Sequence, residues 1–157
     1  MKIKLLVIGK TDDKSLQTLI ETYKNRLKHY IKFELEIIPD IKNVKNLSES
    51  QQKEKEGQLL LKKLTPTDVL ILLDEKGKEF RSIEFSKYLQ KKMNSGIKQL
   101  VLVIGGPYGF SDTIYKKATG KISFSKMTFS HQMIRLFVVE QIYRAFTILK
   151  NEPYHHE

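Results

Sequence analysis

Residues 100–110, LVLVIGGPYGF, decide the fold of this chain. The run 100–104 has no polar residue, and a strand that is apolar on both faces is typical of a parallel sheet covered by helices on its two sides. Other strand-like runs occur at residues 3–8, 33–38, 69–73 and 122–125. We therefore predict one sheet of five strands, most of them parallel.

Amphipathic stretches of helical length separate these runs. They occupy residues 14–30, 48–64, 82–94 and 131–149. Ser48 with Gln51 forms a capping-box pattern, and Ser82, Ser111 and Ser130 stand where a serine can cap a helix start. Strands that alternate with helices predict an α/β fold, a mostly parallel sheet flanked by helices, in a single domain spanning residues 1–157.

Composition narrows the class of protein. The chain has 157 residues and no cysteine, which excludes disulfides and cysteine-bound zinc and suits a reducing cytoplasm. No apolar run approaches the ~20 residues that cross a bilayer, so we predict no membrane span. A net charge of +10 attracts polyanions. Because only four of the 28 basic residues are arginines and the lysines are spread along the chain, charge alone leaves nucleic-acid binding open.

The turn Gly105-Gly106-Pro107-Tyr108-Gly109 directly follows the central strand. Ligands of open α/β sheets bind at the carboxyl ends of strands, where glycine lets them approach the backbone. Residues 73–74 end the neighbouring strand at the same edge, before a turn predicted at 74–77. The spacing is not that of a dinucleotide fingerprint. A tight turn that needs positive φ is the alternative interpretation.

The helix predicted at residues 131–149 is apolar on two sides. One stripe contains Ile134, Val138, Gln141, Ile142, Ala145 and Ile148, and a second contains Leu136, Val139, Tyr143 and Phe146. So small a domain has too little surface to cover both stripes, which predicts a homodimer with the partner on the second stripe. The remaining side carries His131, Arg135, Glu140 and Arg144, either as functional groups or as ordinary surface pairs.

Four segments together resemble the RlmH family. They are VLILLDEKGK at 69–78, VLVIGGPYGF at 101–110, ISFSKMTFSHQMIRLFVVEQIYRAF at 122–146 and EPYHH at 152–156. The family consists of knotted SPOUT-class methyltransferases that act on a pseudouridine of the large-subunit (23S) ribosomal RNA. The resemblance covers essentially the whole chain, and the SFSKMTF run is its most specific motif.

The resemblance implies a cofactor, a knot and partners. The cofactor is S-adenosyl-L-methionine, enclosed by a trefoil knot near the C-terminus. The residues that match the family's cofactor site are Leu73, Gly105, Phe124, Ser125, Lys126, Met127, Thr128 and Phe129. The implied partners are a second subunit and 23S rRNA or the ribosome, with no membrane and no metal.

The chemistry requires a positioned ring nitrogen and an acceptor for its imide proton. His155 is the first candidate for the acceptor and Glu140 the second, because a carboxylate would need a raised pKa. Arg135 is expected to stabilise the imide anion or to hold a phosphate, and Tyr154 to stack on the target base. His156 stands where some relatives have arginine. The alternatives are a non-catalytic RNA-binding or ribosome-associated module of the same fold, or a SPOUT methyltransferase with another RNA target.

Overall fold

The computed structural model describes residues 1–156, so Glu157, the end of the predicted domain and tail, lies outside the described residues. Five strands form one sheet in the order β2-β1-β4-β3-β5. Their bounds are β1 Lys2–Ile8, β2 Lys32–Ile38, β3 Val69–Glu79, β4 Gln99–Ile104 and β5 Gly120–Ser123. Each neighbouring pair of strands is parallel. The predicted α/β architecture is confirmed, while the trefoil knot stays a prediction because strand order alone does not define it.

Five α-helices cover the two faces of the sheet. Their bounds are α1 Lys14–Leu27, α2 Glu49–Leu61, α3 Ser82–Asn94, α4 Asp112–Lys117 and α5 His131–Leu149, with a short 3₁₀ turn at Val44–Asn46. Helices α1, α3 and α5 pack on one face, and α2 and α4 pack on the other. Along β1, Leu5 faces the first core and Leu6 the second, because side chains alternate across a strand. This alternation explains why the strands are apolar throughout.

Side-chain caps begin most of these helices. Ser48 and Gln51 form the predicted capping box, and Ser111 and Ser130 cap α4 and α5 as predicted. The prediction for Ser82 was wrong by one residue. Arg81 is the N-cap of α3, and its backbone N–H donates to Glu84 Oε2 over 2.8 Å, so Ser82 is the first helical residue.

Strand β3 extends beyond its predicted end. Residues 74–77 were predicted as a turn, but the strand continues to Glu79 after a shift in register between Leu73 and Lys78. Gly77 permits this shift, since a Cβ there would lie 2.5 Å from the backbone carbon of Ile122. Only the start of the segment is turn-like, where Asp74 Oδ1 accepts from the backbone N–H of Lys76.

The position predicted for the uncovered face of α5 was also wrong. Val139 and Phe146 of the second stripe are buried within the chain, and the Phe146 ring lies 6.2 Å from that of Tyr30. The large apolar side chains that remain exposed on α5 are Met133 and Phe137, beside Phe129 of the preceding loop. Among the described residues, no helix is long and apolar enough to cross a membrane.

Candidate active site

A cleft of about 440 Å³ lies at the carboxyl ends of β3 and β4. Leu73 ends the first part of β3 and Gly105 follows β4, and both line this cleft. The parallel register brings these two distant segments together, since Leu73 is paired with Ile104. The glycine turn predicted a binding site at this edge of the sheet, and a cleft lies there.

The loop between β5 and α5 forms the opposite wall. Phe124, Ser125, Met127, Thr128 and Phe129 all line the cleft. The loop is tied down locally, because Ser125 Oγ accepts from the backbone N–H of Met127 over 2.9 Å and Ser123 Oγ donates to the carbonyl of Ser125 over 3.0 Å.

The two ends of this loop are anchored by aromatic rings. The Phe124 ring meets that of Phe85 on α3 edge-on at 5.6 Å, and Phe129 lies 5.1 Å from Phe137 on α5. Lys126 differs from its neighbours, since it is not among the lining residues and its ammonium pairs with Glu79 over 3.4 Å. Lys126 is thus the one member of the predicted cofactor set that does not line the cleft.

Several residues outside the predicted cofactor set also line the cleft. These are Glu75, Lys76, Tyr108, Phe110, Tyr115, His131 and Ile134. Tyr115 donates a hydrogen bond to Asp74, and burial together with this bond raises the pKa of Tyr115 to about 12. The proximity of Tyr115 on α4 to Asp74 on β3 depends on packing and has no local sequence signal.

The glycines of the turn have different neighbours. A Cβ on Gly105 would lie 3.1 Å from the Phe110 ring, whereas one on Gly106 would lie 2.3 Å from Glu56 Oε2. Gly109 has φ of 78°, which supports the positive-φ interpretation at that position. At Gly106, therefore, the space next to the backbone is occupied by a side chain of the protein itself, that of Glu56.

A second group of predicted residues gathers where the C-terminal tail meets α5. Tyr154 donates to Glu140 Oε1 over 3.0 Å, and Arg144 donates to the same oxygen from Nη2 and Nε over 2.7 and 3.1 Å. Arg144 Nη1 also lies 3.3 Å from His155 Nδ1. Three of the four predicted catalytic residues, Glu140, Tyr154 and His155, are thus within one hydrogen-bonded cluster, which we call the tail cluster.

Helix α1 adds two residues to the tail cluster. The Tyr23 and Tyr154 hydroxyls are 3.3 Å apart, and the Arg26 guanidinium lies 5.2 Å above the Tyr23 ring. Burial and the hydrogen bonds to Tyr23 and Glu140 raise the pKa of Tyr154, so its phenol stays protonated at neutral pH. Tyr23 lies within the amphipathic stretch predicted at 14–30, and its position there does not reveal this contact.

The fourth predicted catalytic residue is elsewhere. Arg135 was expected on the polar side of α5, but it is only 2% exposed. Its Nη2 donates to the Ile8 carbonyl over 2.7 Å and its Nη1 to Thr11 Oγ1 over 2.9 Å. Burial lowers the pKa of Arg135, although nearby Asp40 and Asp12 oppose the shift. Its hydrogen bonds anchor the end of β1 to α5, so this geometry does not present the guanidinium to an RNA.

Comparisons with known proteins identify the family of this chain. A family model described as "Predicted SPOUT methyltransferase" matches residues 1–155. Relatives named Ribosomal RNA large subunit methyltransferase H match over the full length of both chains. They come from Flavobacterium johnsoniae, Flavobacterium psychrophilum and Parabacteroides distasonis, with identities of 75%, 74% and 70%. The chain belongs to the RlmH family of SPOUT methyltransferases.

In this RlmH-family chain the cleft and the tail cluster are separated along α5. His131 and Ile134 line the cleft from the first turn of the helix, whereas Glu140 lies about 9 Å and Arg144 about 15 Å beyond Ile134 at 1.5 Å per residue. None of the residues of the tail cluster lines the cleft. A single subunit therefore does not bring its predicted catalytic residues to its own cleft.

A smaller cavity of about 300 Å³ adjoins the cleft of this RlmH-family chain. Its lining includes Phe80, Phe85, Phe124, Phe129 and Phe137. Two of these, Phe129 and Phe137, are about 40% exposed, so the cavity opens onto an apolar surface. An exposed apolar surface of this kind is suited to contact with another protein chain.

Proposed function

We propose that this protein is an S-adenosylmethionine-dependent methyltransferase that methylates N3 of a pseudouridine in the large-subunit ribosomal RNA. The observation that carries the proposal is the meeting of Leu73, Gly105 and the loop after β5 around one cleft. Relatives that are 70–75% identical over their full length are named as large-subunit ribosomal RNA methyltransferases. The net charge of +10 suits an RNA substrate.

The cleft fits the proposed cofactor in size and chemistry. Its volume lies within the range of about 300–1,000 Å³ that is usual for small-molecule sites. Phe110, Phe124 and Phe129 offer apolar contacts to a purine ring, and Asp74 and Glu75 supply negative charge suited to a cationic ligand. When bound, S-adenosylmethionine supplies a methyl group that is electrophilic because it is attached to a sulfonium.

The residues of this chain then have to orient the ring nitrogen and remove its proton. We assign the proton acceptor to His155, since neutral imidazole is a base near neutral pH. This assignment requires that His155 Nδ1 leave its contact with Arg144 Nη1 when the substrate binds. Glu140 is less suited, because its Oε1 already accepts from Arg144 and Tyr154 and its Oε2 accepts from Gln141. In this assignment Glu140 and Arg144 orient the tail, and Tyr154 contacts the target base.

Because the tail cluster and the cleft are separated in one subunit, we propose that the active site is completed in a homodimer. The exposed Phe129, Met133 and Phe137 form the apolar surface on which the second copy packs. Pairing of this kind allows the tail of one subunit to face the cofactor cleft of the other. We expect the protein to act in the cytoplasm, where the ribosome is found.

The decisive experiment is methyl transfer from labelled S-adenosylmethionine to ribosomes isolated from cells that lack this protein. We expect label in 23S rRNA, at one pseudouridine, and mass mapping should assign the methyl group to N3. The methylated nucleotide should be absent from rRNA of the strain that lacks this protein. It should return when the protein is added. Unchanged rRNA masses would contradict the proposal.

Calorimetry separates the enzyme from a non-catalytic RNA-binding module. A pure binding module has no reason to retain a cofactor cleft, so no binding of S-adenosylmethionine at millimolar concentration would favour that alternative. Binding with label in a different RNA would instead favour a SPOUT methyltransferase with another target, since fold does not determine substrate.

A further inference from the structure

Glu56 on α2 is a buried carboxyl group behind the glycine turn. It is 3% exposed, and only one of its oxygens is satisfied, by Gln52 Nε2 at 3.0 Å from Oε1. The second oxygen, Oε2, is buried and has no hydrogen-bond partner among residues 1–156. A buried polar atom without a partner is unfavourable and rare in native proteins.

An apolar side chain at position 56 would avoid the desolvation penalty of a buried carboxyl group. Burial raises the pKa of Glu56, with Asp40 adding to the shift and Gln52 and His131 opposing it, so the site disfavours the charged form. The neighbouring Gly57 packs tightly against Ser111 of α4, which holds this part of α2 against the sheet. A glutamate at such a position, where packing alone would favour a hydrophobic residue, points to a role for its polar atoms.

The contact of Glu56 is with the backbone of Gly106. A Cβ on Gly106 would lie 2.3 and 2.6 Å from the two carboxyl oxygens, so the carboxyl group fills the space directly behind this residue. Gly106 itself lines the cofactor cleft, whereas Glu56 does not. The turn is therefore enclosed by the ligand cleft on one side and by a buried carboxyl group on the other.

We propose that Glu56 is a positioning residue, which holds the Gly105–Gly109 turn in the conformation that receives the methyl donor. It acts through the backbone of Gly106 and does not touch the ligand. The inference rests on the proposed function for the identity of that ligand, but the order of the turn is a property of the free protein.

Hydrogen exchange on the cofactor-free protein tests the ordering of the turn. In Glu56→Met, which keeps the length of the side chain but removes both oxygens, the amides of Gly105, Gly106, Tyr108 and Gly109 should exchange at least about tenfold faster than in wild type. Glu56→Gln keeps one oxygen and a polar group at the same place and should stay within about threefold of wild type. Unchanged exchange in Glu56→Met would overturn the proposal.

Thermal unfolding distinguishes positioning from general stabilisation. Glu56→Met removes an unsatisfied buried oxygen, so its melting temperature should equal or exceed that of wild type while the turn becomes less ordered. If methionine prevents folding, Glu56→Ala provides the same comparison, with the same faster exchange expected at the turn. A fall in stability with uniformly faster exchange throughout the chain would show that Glu56 only fills space, and would overturn the proposal.

The matched control is Glu54→Leu on the same helix. The Glu54 carboxylate contacts Thr113 of α4 at 3.3 Å and does not approach the turn. This variant should leave exchange at residues 105–109 unchanged. The same acceleration in Glu54→Leu and Glu56→Met would assign the effect to looser packing of α2 and would contradict a role specific to Glu56.

Cofactor affinity provides the second measurement. Calorimetry should give S-adenosylmethionine binding about tenfold weaker in Glu56→Met and within about threefold of wild type in Glu56→Gln. If wild type itself does not bind, the proposed function fails, whereas the exchange experiment still decides whether Glu56 orders the turn. Normal affinity in Glu56→Met would overturn the link between Glu56 and the cleft.

Discussion

At the scale of single residues, Arg135 differs most from what its sequence position suggests. Its i,i+4 spacing from His131 is typical of a surface pair, yet packing places its guanidinium against the end of β1. A buried cation is tolerated where most of its N–H groups are hydrogen-bonded. Here Ile8 and Thr11 accept two of these bonds, while Nε is buried without a partner among residues 1–156. The structure therefore favours an anchoring role for Arg135 over a catalytic one.

Replacing Arg135 should reduce stability more than chemistry. We expect Arg135→Met to lower the free energy of unfolding by about 2–4 kcal/mol, because the Ile8 carbonyl and the Thr11 hydroxyl lose buried donors. Urea denaturation measures the change. Lys91→Ala is a suitable control, since Lys91 is exposed and its loss should cost about 0.5 kcal/mol or less.

The opposite result would restore the catalytic interpretation. If Arg135→Met kept wild-type stability and cofactor affinity but lost methyl transfer, the guanidinium would have to contact the substrate. That outcome would require the N-terminal part of α5 to rearrange when RNA binds.

His155 should affect the chemical step and leave the cofactor cleft intact. We expect His155→Ala to slow methyl transfer by about 10²–10⁴-fold, the usual contribution of a general base, with S-adenosylmethionine affinity within about threefold of wild type. Single-turnover kinetics and calorimetry measure the two quantities. His156→Ala is the matched control and should be much less affected, because His156 is exposed. Equal losses in the two variants would indicate a general role of the tail in RNA binding.

At the scale of elements, the edge strand β2 is held by ion pairs. Glu36 accepts from Lys4 of β1 over 2.8 Å and pairs with Lys63, also over 2.8 Å. Glu34 on the same strand pairs with Lys2. Lysine and glutamate side chains along an exposed edge also discourage pairing with strands of other chains.

These ion pairs predict a pH dependence of stability. Hydrogen bonds from Lys4 and Lys63 lower the pKa of Glu36, so the folded state binds its proton less tightly than the unfolded chain. The resulting stabilisation is present above the ordinary value of 4.5 and is lost as pH falls through the lower folded value. We expect a contribution of about 0.5–1 kcal/mol at neutral pH, since the pair is partly exposed.

Denaturation at a series of pH values tests this contribution. Glu36→Gln should be less stable than wild type at pH 7 and should converge with it as pH falls through the lowered pKa of Glu36. Glu34→Gln is the control, because its carboxylate is more exposed and pairs with one lysine. A constant difference between Glu36→Gln and wild type over the whole range would exclude the ionised carboxylate as the cause.

At the scale of the whole molecule, we predict a dimer whose interface includes Phe137. Light scattering should give about twice the 18.4 kDa mass of the chain. Phe137→Glu places a charge in the proposed interface and should produce a monomer that still binds S-adenosylmethionine but has lost methyl transfer. Leu19→Glu changes an exposed apolar residue of α1 and should remain dimeric. A wild-type monomer with full activity would refute the composite active site.

Local patterns predicted much of the fold because they depend on neighbours in sequence. Apolar runs such as 100–104 specify strands, and the cap at Ser130 specifies the start of α5, since both depend on a few adjacent side chains. The continuation of β3 past Asp74 was not predictable, because it depends on pairing with β5 about 45 residues later. The resemblance supplied the members of the cofactor set, and all of them except Lys126 line the cleft.

By itself, the sequence determined the α/β class, the helix starts at Ser48, Ser111 and Ser130, and the glycine turn at the edge of the sheet. These features follow from local hydrogen bonding and from the period of apolar residues, which any chain with this pattern would share. Only the tertiary structure decided that Arg135 is buried, that the second stripe of α5 is covered by its own chain, and that Glu56 lies behind Gly106. Those outcomes depend on which distant segments pack together, and no local pattern contains that information.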